Sequence, residues 1–282
     1  MKKILVPTDF SKVAQMAVNV AADIARKAEA RLILLHVIEQ PGSDSFRVTG
    51  EMSASTNWEE KLYTLKLIEK SKSQLAKEIE LLKEKGVKVT PEIRLGNPYH
   101  GITTVITEQN VDLVVMGTSG RSKLEEMIIG SNTEKVIRHA HCPVLTVHGK
   151  PGNTDYKNIV YATSLSDSEK DFAKLVKNTQ KIYDSTVHVL RINTPNNFQP
   201  DYTVDVIMQD FVKKIKLDNY TLNVYNDYSE EEGIIHFAES IDADLIVMAT
   251  HGRKGFAHVL VGSIAEDVAN HSKRPVLTYI TK

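Results

Sequence analysis

The fold class the sequence predicts is α/β: two tandem, doubly wound, open five-stranded parallel-sheet domains. Short runs rich in Val, Ile and Leu alternate with segments of helical periodicity, the order expected when helices cover a parallel sheet. The runs are apolar almost throughout, as in Leu32-Ile-Leu-Leu-His-Val-Ile38, which suits strands buried on both faces. The series then occurs a second time within 282 residues, a length that by itself suggests roughly two domains.

Taken in order, Ile4–Val6 reads as a buried strand that stops at Pro7-Thr8-Asp9. Asp9 or Ser11 then caps a helix whose apolar face carries Ala14, Ala17, Val18, Ala21 and Ala25 at helical spacing. Alanines on that face allow close packing on a sheet. After the strand Leu32–Ile38, the stretch Pro41–Asn57 has loop chemistry and reads as a connection, with a lid or partner-binding arm as the alternatives. Trp58–Lys85 is a long charged helix with Leu62, Leu65, Ile68, Leu75, Ile79 and Leu82 directed to the core. Gly86 ends it, and Val87–Ile93 alternates as a strand near the sheet edge. A short helix, Pro98–Gln109, leads to the strand Leu113–Met116, and Pro143–Val147 supplies the fifth strand.

His148–Asp155 is punctuated by glycine and proline, and the pattern then restarts. Asn158–Ser164 aligns with Lys3–Asp9, Thr186–Ile192 with the second strand, Leu245–Gly252 with the glycine motif and Pro275–Tyr279 with the last strand. Ile4 recurs 155 residues on as Ile159, whereas Gly130 recurs 132 residues on as Gly262, so the first copy carries 23 additional residues, largely Pro41–Asn57. The expected domains are residues 1–148 and 158–282, joined by a linker at 149–157. The last strands of the two copies have apolar edges, and pairing them would protect both and form an internal pseudo-dimer. Association of two tandem chains into a homodimer stays open.

The stretch with the strongest chemistry is Gly117–Ser131, where a buried strand ends in a glycine turn and a helix begins on Gly130-Ser131. Glycine lets backbone N–H groups turn toward one point and admits a close ligand. A helix N-terminus adds unpaired N–H groups and the positive end of its dipole. The Ser131 hydroxyl serves as N-cap or as a donor to phosphate. Together they predict an anion cradle for phosphate. The spacing is neither the Walker loop nor the dinucleotide fingerprint. Ligands of open α/β sheets gather at the carboxyl ends of the strands near a topological switch point, where Asp9, Val37 and Gly117 would converge. The Asp9 carboxylate can accept from ribose hydroxyls or an exocyclic amine, or cap the helix. Val37 places backbone groups against a base edge, or is a core valine.

Composition narrows the function classes. A net charge of −1 gives no general field for nucleic acid or an anionic membrane, and no segment approaches the ~18 apolar residues of a membrane span. The single cysteine, Cys142, fits a reducing compartment, and a cytoplasmic location is expected. His139, His141 and Cys142 lack a fourth ligand at metal spacing, so Cys142 reads as a buried structural residue and no metal site is assigned.

The spacing of Gly117, Gly120, Gly130 and Ser131 resembles the ATP-binding signature of the universal stress protein family, and the repeat extends the resemblance over essentially the whole chain. It implies an adenine nucleotide alpha hydrolase-like, Rossmann-like fold and ATP, with Mg²⁺, as the N-terminal cofactor. The matching positions are Pro7, Thr8 and Asp9 in the first loop, Val37 at the adenine, and Met116 and Gly117 at the nucleoside. Gly120, Gly130, Ser131 and Asn132 match phosphate-contacting positions, Asn132 through its backbone. Arg121 and Lys123 add charge near the phosphates or serve as surface charge. The second copy departs from the pattern: Ala162 replaces Pro7, Ser164 replaces Asp9 and Ala249 replaces Gly117, while Gly252, Gly262 and Ser263 remain. The expectation is ATP in the first copy and a weak or empty second site.

The resemblance implies a nucleotide-dependent regulatory or sensing module in stress response, acting on an unidentified protein partner. Two alternatives stand beside it: a scaffold with a vestigial site, and a slow ATPase. Phosphoryl chemistry needs a residue that orients water and charge that stabilises the transferred group. No motif places a catalytic residue for that role.

Overall fold

The computed structural model describes residues 1–39, 58–118, 130–148, 154–166, 169–251 and 263–281. Pro41–Asn57, Gly120, Arg121, Lys123, Gly252 and Gly262 lie outside the described residues. The chain divides into two compact units, Met1–Val115 and Met116–Lys282.

In the first unit, β1 (Lys3–Pro7) buries Ile4, Leu5 and Val6 completely. It pairs in parallel with β2 (Arg31–Ile38) from Lys3↔Arg31 to Pro7↔Leu35, and on its other side with β4 (Leu113–Gly117) at Ile4↔Leu113 and Leu5↔Val114. β3 (Lys88–Leu95) pairs with the outer side of β2 over its full length. The order β3-β2-β1-β4 therefore reverses at β1, whose carboxyl end lies at the topological switch point. Between β1 and β2 runs α1 (Lys12–Lys27). Of the two capping candidates it is Ser11 whose hydroxyl accepts from the Ala14 amide, at 3.2 Å. The Ala14, Ala17, Ala21 and Ala25 face is buried as expected.

The long helix α2 (Trp58–Glu84) corrects one expectation. Leu75 and Leu82 are buried, but Leu62 and Leu65 are exposed. A 27-residue helix is about 40 Å long, whereas the 8 residues of β2 extend over about 26 Å. The buried side chains of α2 (Ser71, Leu75, Glu78 and Leu82) all lie in its second half. Gly86 then adopts φ +76°, a left-handed conformation that costs glycine no Cβ clash, and the helix ends. After β3, α3 (Pro98–Gln109) starts with the Asn97 side chain accepting from the His100 amide and with Pro98 in the first turn.

The second unit begins with the last two residues of β4 and continues through α4 (Ser131–His139) and β5 (Val144–Val147). The repeat follows as β6 (Asn158–Ala162), α5 (Lys170–Tyr183), β7 (Thr186–Asn193), α6 (Asp201–Ile215), β8 (Tyr220–Asn226), α7 (Glu230–Ser240), β9 (Leu245–His251), α8 (Ser263–His271) and β10 (Val276–Thr281). Its strands run in the order β5-β10-β9-β6-β7-β8. The ladders from β10 to β8 are parallel, and β10 pairs antiparallel with β5 at Val276↔Thr146, Leu277↔Leu145 and Thr278↔Val144. The two terminal strands thus protect each other's edges, as their apolar character predicts. Buried Thr146 and Thr278 add hydroxyl bonds to the Val276 and Val144 carbonyls across this ladder. Beside it, Arg138 of α4 donates two bonds to the Glu266 carboxylate of α8, at 2.8 and 2.7 Å, a bidentate geometry that raises the guanidinium's proton affinity.

Small details recur between the copies. The Asp112 carboxylate accepts from the amides of Lys2 and Lys3 before β1, and Asp244 accepts from those of Lys157 and Asn158 before β6. Cys142 is buried, and among the described residues no group of three or more His, Cys, Asp or Glu side chains converges on a metal position. No helix among them is long and apolar enough to cross a membrane.

Candidate functional site

The predicted site residues of the first unit follow the ends of β1 and β2. The Thr8 amide donates to the Leu35 carbonyl at 2.8 Å, continuing the β1–β2 ladder by one residue. The chain then turns sharply. The Phe10 amide donates to Thr8 Oγ1 at 3.0 Å, and the Ser11 amide donates to Asp9 Oδ1 at 2.9 Å. Phe10 sits at φ 63°, a left-handed conformation that costs a bulky residue about 1–2 kcal/mol. Such a residue persists only where its surroundings fix it. His36 helps to fix it here: Nδ1 lies 2.7 Å from the Thr8 carbonyl, and the ring centroid is 4.6 Å from that of Phe10. Nδ1 is assigned the proton because its neighbour can only accept. Pro7 and Asp9 are half-buried and Thr8 is buried.

Val37, near the end of β2, is half-buried. The backbone of α3 lies flush against it, since a Cβ built on Gly101 would stand 2.8 Å from Val37 Cγ2. Glycine is needed at 101 for this close approach, and Val37 is thereby held in place from one side.

The second unit carries the predicted phosphate side. Met116 is buried at the end of β4, and Gly117 closes the strand in extended backbone. The left-handed glycines among the described residues are Gly86 and Gly96, so positive φ is not what selects glycine at 117 or 130. Gly130 is the N-cap of α4, with φ −65° and ψ 143°, and Ser131 is the first helical residue, exposed. Of its two expected roles, N-cap or phosphate donor, Ser131 does not fill the first: Gly130 holds the extended cap conformation, with no side-chain cap bond among the described residues. Asn132 lies in that same first turn and is half-buried.

Three residues that the motif did not single out hold this end together. The Gly130 amide donates to the Thr118 carbonyl at 2.6 Å, and the Thr118 amide donates to Val147 at 3.2 Å. The Thr133 hydroxyl donates to the Gly117 carbonyl at 3.0 Å. The Thr118 hydroxyl lies 3.3 Å from His148 Nδ1. Burial pushes His148 down to about 4, against a smaller upward pull from the Ala269 carbonyl, so the ring is neutral at pH 7. A polar threonine at each end of a glycine segment is the sequence signal that was available. Gly120 and Arg121 fall outside the described residues.

Within the first unit, β1 and β4 are parallel neighbours, with Ile4 opposite Leu113 and Leu5 opposite Val114. Chemically, the first unit offers a carboxylate acceptor at Asp9 and an apolar wall at Val37, and the second unit offers, at the start of α4, backbone amides without helical acceptors.

The description of the universal stress protein family matches the chain twice, over residues 1–148 and 155–279. Universal stress protein MJ0577 of Methanocaldococcus jannaschii is 37% identical over 157 residues, covering 53% of this chain and 96% of that protein. Universal stress protein MJ0531 of the same organism is 36% identical over 146 residues, covering 52% of this chain and 81% of its own length. The crystal structure of a universal stress protein from Archaeoglobus fulgidus superposes with a TM-score of 0.77 at 20% identity, covering 99% of this chain and 98% of that one. This last likeness establishes the tandem α/β fold.

Proposed function

The chain belongs to the universal stress protein family, and from that premise we propose that its N-terminal repeat binds ATP and acts as a nucleotide-dependent regulatory module in stress response. One observation carries the reading. Gly130 opens α4 in an ordinary extended conformation, and the nearest atom to a Cβ added there would be the Thr118 carbonyl oxygen, at an unstrained 3.7 Å. Among the described residues, none requires glycine at that position. A bare backbone at a helix N-terminus leaves the first-turn amides open to an anion, and the helix dipole favours negative charge there.

In this reading the amides of Gly130, Ser131 and Asn132, with the Ser131 hydroxyl, receive phosphate oxygens. Asp9 accepts from the ribose hydroxyls, Val37 lines the adenine, and Pro7, Thr8, Met116 and Gly117 border the nucleoside. The contacts assigned to Gly120 and Arg121 rest on the sequence resemblance. Mg²⁺ enters with the nucleotide, because phosphate oxygens are its usual ligands. Nucleotide occupancy then changes the surface presented to a protein partner. The domains we propose are residues 1–148 and 158–282, joined at 149–157.

The direct test is mass spectrometry of a denatured, freshly purified sample, followed by thermal melting with millimolar ATP and Mg²⁺. Adenine nucleotide in the released fraction, or a rise in Tm with ATP that phosphate alone does not give, is the expected result. The absence of both signals would contradict the proposal.

A further inference from the structure

We propose that Glu169 closes the crevice of the second repeat from within, making the C-terminal copy a self-completed domain that takes no nucleotide. The proposal deepens the ATP reading and rests on it for what is excluded, but the contacts that carry it stand independently.

The turn after β6 retraces the turn after β1. The Thr163 amide donates to Leu190 at 3.1 Å as Thr8 does to Leu35, and the Leu165 amide donates to Thr163 Oγ1 at 2.9 Å as Phe10 does to Thr8 Oγ1. Leu165 and Phe10 share the same left-handed φ, 61° and 63°. Only the carboxylate has moved. Ser164 stands where the first repeat has Asp9, and Glu169 stands where it has Ala14.

Glu169 is 1% exposed and receives four hydrogen bonds. Oε2 accepts from the Tyr161 phenol at 2.9 Å and the Thr163 hydroxyl at 2.7 Å. Oε1 accepts from the Ser164 amide at 3.1 Å and the Ser164 hydroxyl at 2.7 Å. Both oxygens are thus occupied by the strand end and the turn that a ligand would otherwise approach. Burial and the neighbouring Glu169 charge drive the Tyr161 phenol far above the ordinary tyrosine value, so it serves as a fixed donor. A buried carboxylate in this position also repels an incoming phosphate.

The space around it is filled as well. Tyr161 and Phe172 replace Val6 and Ala17 of the first repeat. The Tyr161 ring lies 5.6 Å from Phe172 in an edge contact and 6.0 Å from Phe211, while Phe172 stacks on Tyr279. Ile192, larger by one carbon, replaces Val37. Ala249 adds a methyl where the first repeat has Gly117. Charge, hydrogen bonds and volume all point the same way.

Amide exchange read by mass spectrometry on the full chain, with and without ATP and Mg²⁺, separates the possibilities. In the wild type, residues 159–166 should be protected without ligand and unchanged by ATP, while residues 5–11 gain protection on adding it. In Glu169→Ala, residues 159–166 should exchange at least tenfold faster, with the ATP response of residues 5–11 intact. Glu169→Gln, which keeps one acceptor oxygen, should fall between the two and covers the case in which the alanine variant does not fold. ATP-induced protection of residues 159–166 in the wild type, or unchanged exchange there in both variants, overturns the proposal. If ATP protects neither segment, the nucleotide reading fails by itself, and the exchange of the variants still decides whether Glu169 holds the second crevice shut.

Discussion

Residues 8–11 and residues 163–166 turn at the ends of equivalent strands with the same threonine-to-amide bond and the same left-handed residue. In the first repeat the turn carries its own carboxylate, Asp9, half-buried and bonded to the Ser11 amide. In the second, the carboxylate comes from the start of the next helix and is wholly buried under four donors. The comparison teaches that the backbone of this turn does not depend on a ligand. Strand amides and a threonine hydroxyl set it, while the carboxylate is half-buried in the first turn and buried in the second.

The largest effect should come from exchanging these two roles. Glu169→Ala leaves the buried Tyr161 and Thr163 hydroxyls without their acceptor, so stability should fall by about 2 kcal/mol or more, at about 1–3 kcal/mol for each buried group left unpaired. Chemical denaturation reads this directly, and ATP affinity should stay within twofold. Asp9→Ala should do the reverse, weakening ATP at least tenfold with a stability loss of about 1 kcal/mol or less. Equal effects of the two substitutions on either readout would remove the distinction between the turns.

Acid lability should follow the first repeat's glycine segment, because His148 has Ile280 as its counterpart. The folded-state value of His148, about 4, lies below the unfolded histidine value of about 6.5. As pH falls, the unfolded chain takes the proton first. The stability present above pH 6.5 is then lost on the way to pH 4, by up to about 3 kcal/mol. Denaturant midpoints measured across this window should fall less steeply in His148→Gln.

Gly101 and Gly233 give a smaller, paired test. A Cβ at either is too close to the facing valine or isoleucine, at 2.8 and 2.9 Å, and overpacking of this kind costs about 1–3 kcal/mol. Both alanine variants should lose stability, but only Gly101→Ala displaces Val37 and weakens ATP. The smallest effect belongs to exposed His236, which the Asp227 carboxylate, 2.7 Å away, holds above the ordinary histidine value. Its contribution is present below the unfolded value and lost as pH rises through the raised one. His236→Ala should therefore narrow the gap between melting temperatures at pH 6 and pH 8 slightly.

Much of this fold is legible in the sequence because it depends on local pattern. Apolar runs mark the strands, the alanine face of α1 marks its packing side, and the repeat appears as offsets between matching residues. The pairing of β5 with β10 follows from their unprotected apolar edges. The exposure of Leu62 and Leu65 was hidden, because periodicity reports a helix face but not how far the helix outruns the strand beneath it. The sequence left Ser131 as either N-cap or phosphate donor, because side-chain capping preference says nothing of a glycine already in the extended conformation. Glu169 was illegible for a different reason: its partners lie on a strand and a turn up to eight residues away, and only the fold shows that they meet. The threonines Thr118 and Thr133, which clamp the glycine segment through backbone carbonyls, likewise carry no motif of their own.

The account depends on one nucleotide site per chain, located in the N-terminal repeat. Isothermal titration of the full chain with ATP and Mg²⁺, repeated on Asp9→Ala, tests this most directly. The predicted result is a single site per chain whose affinity drops at least tenfold in the variant. Two equivalent sites, or binding that Asp9→Ala leaves unchanged, would contradict it, as would the absence of any binding heat.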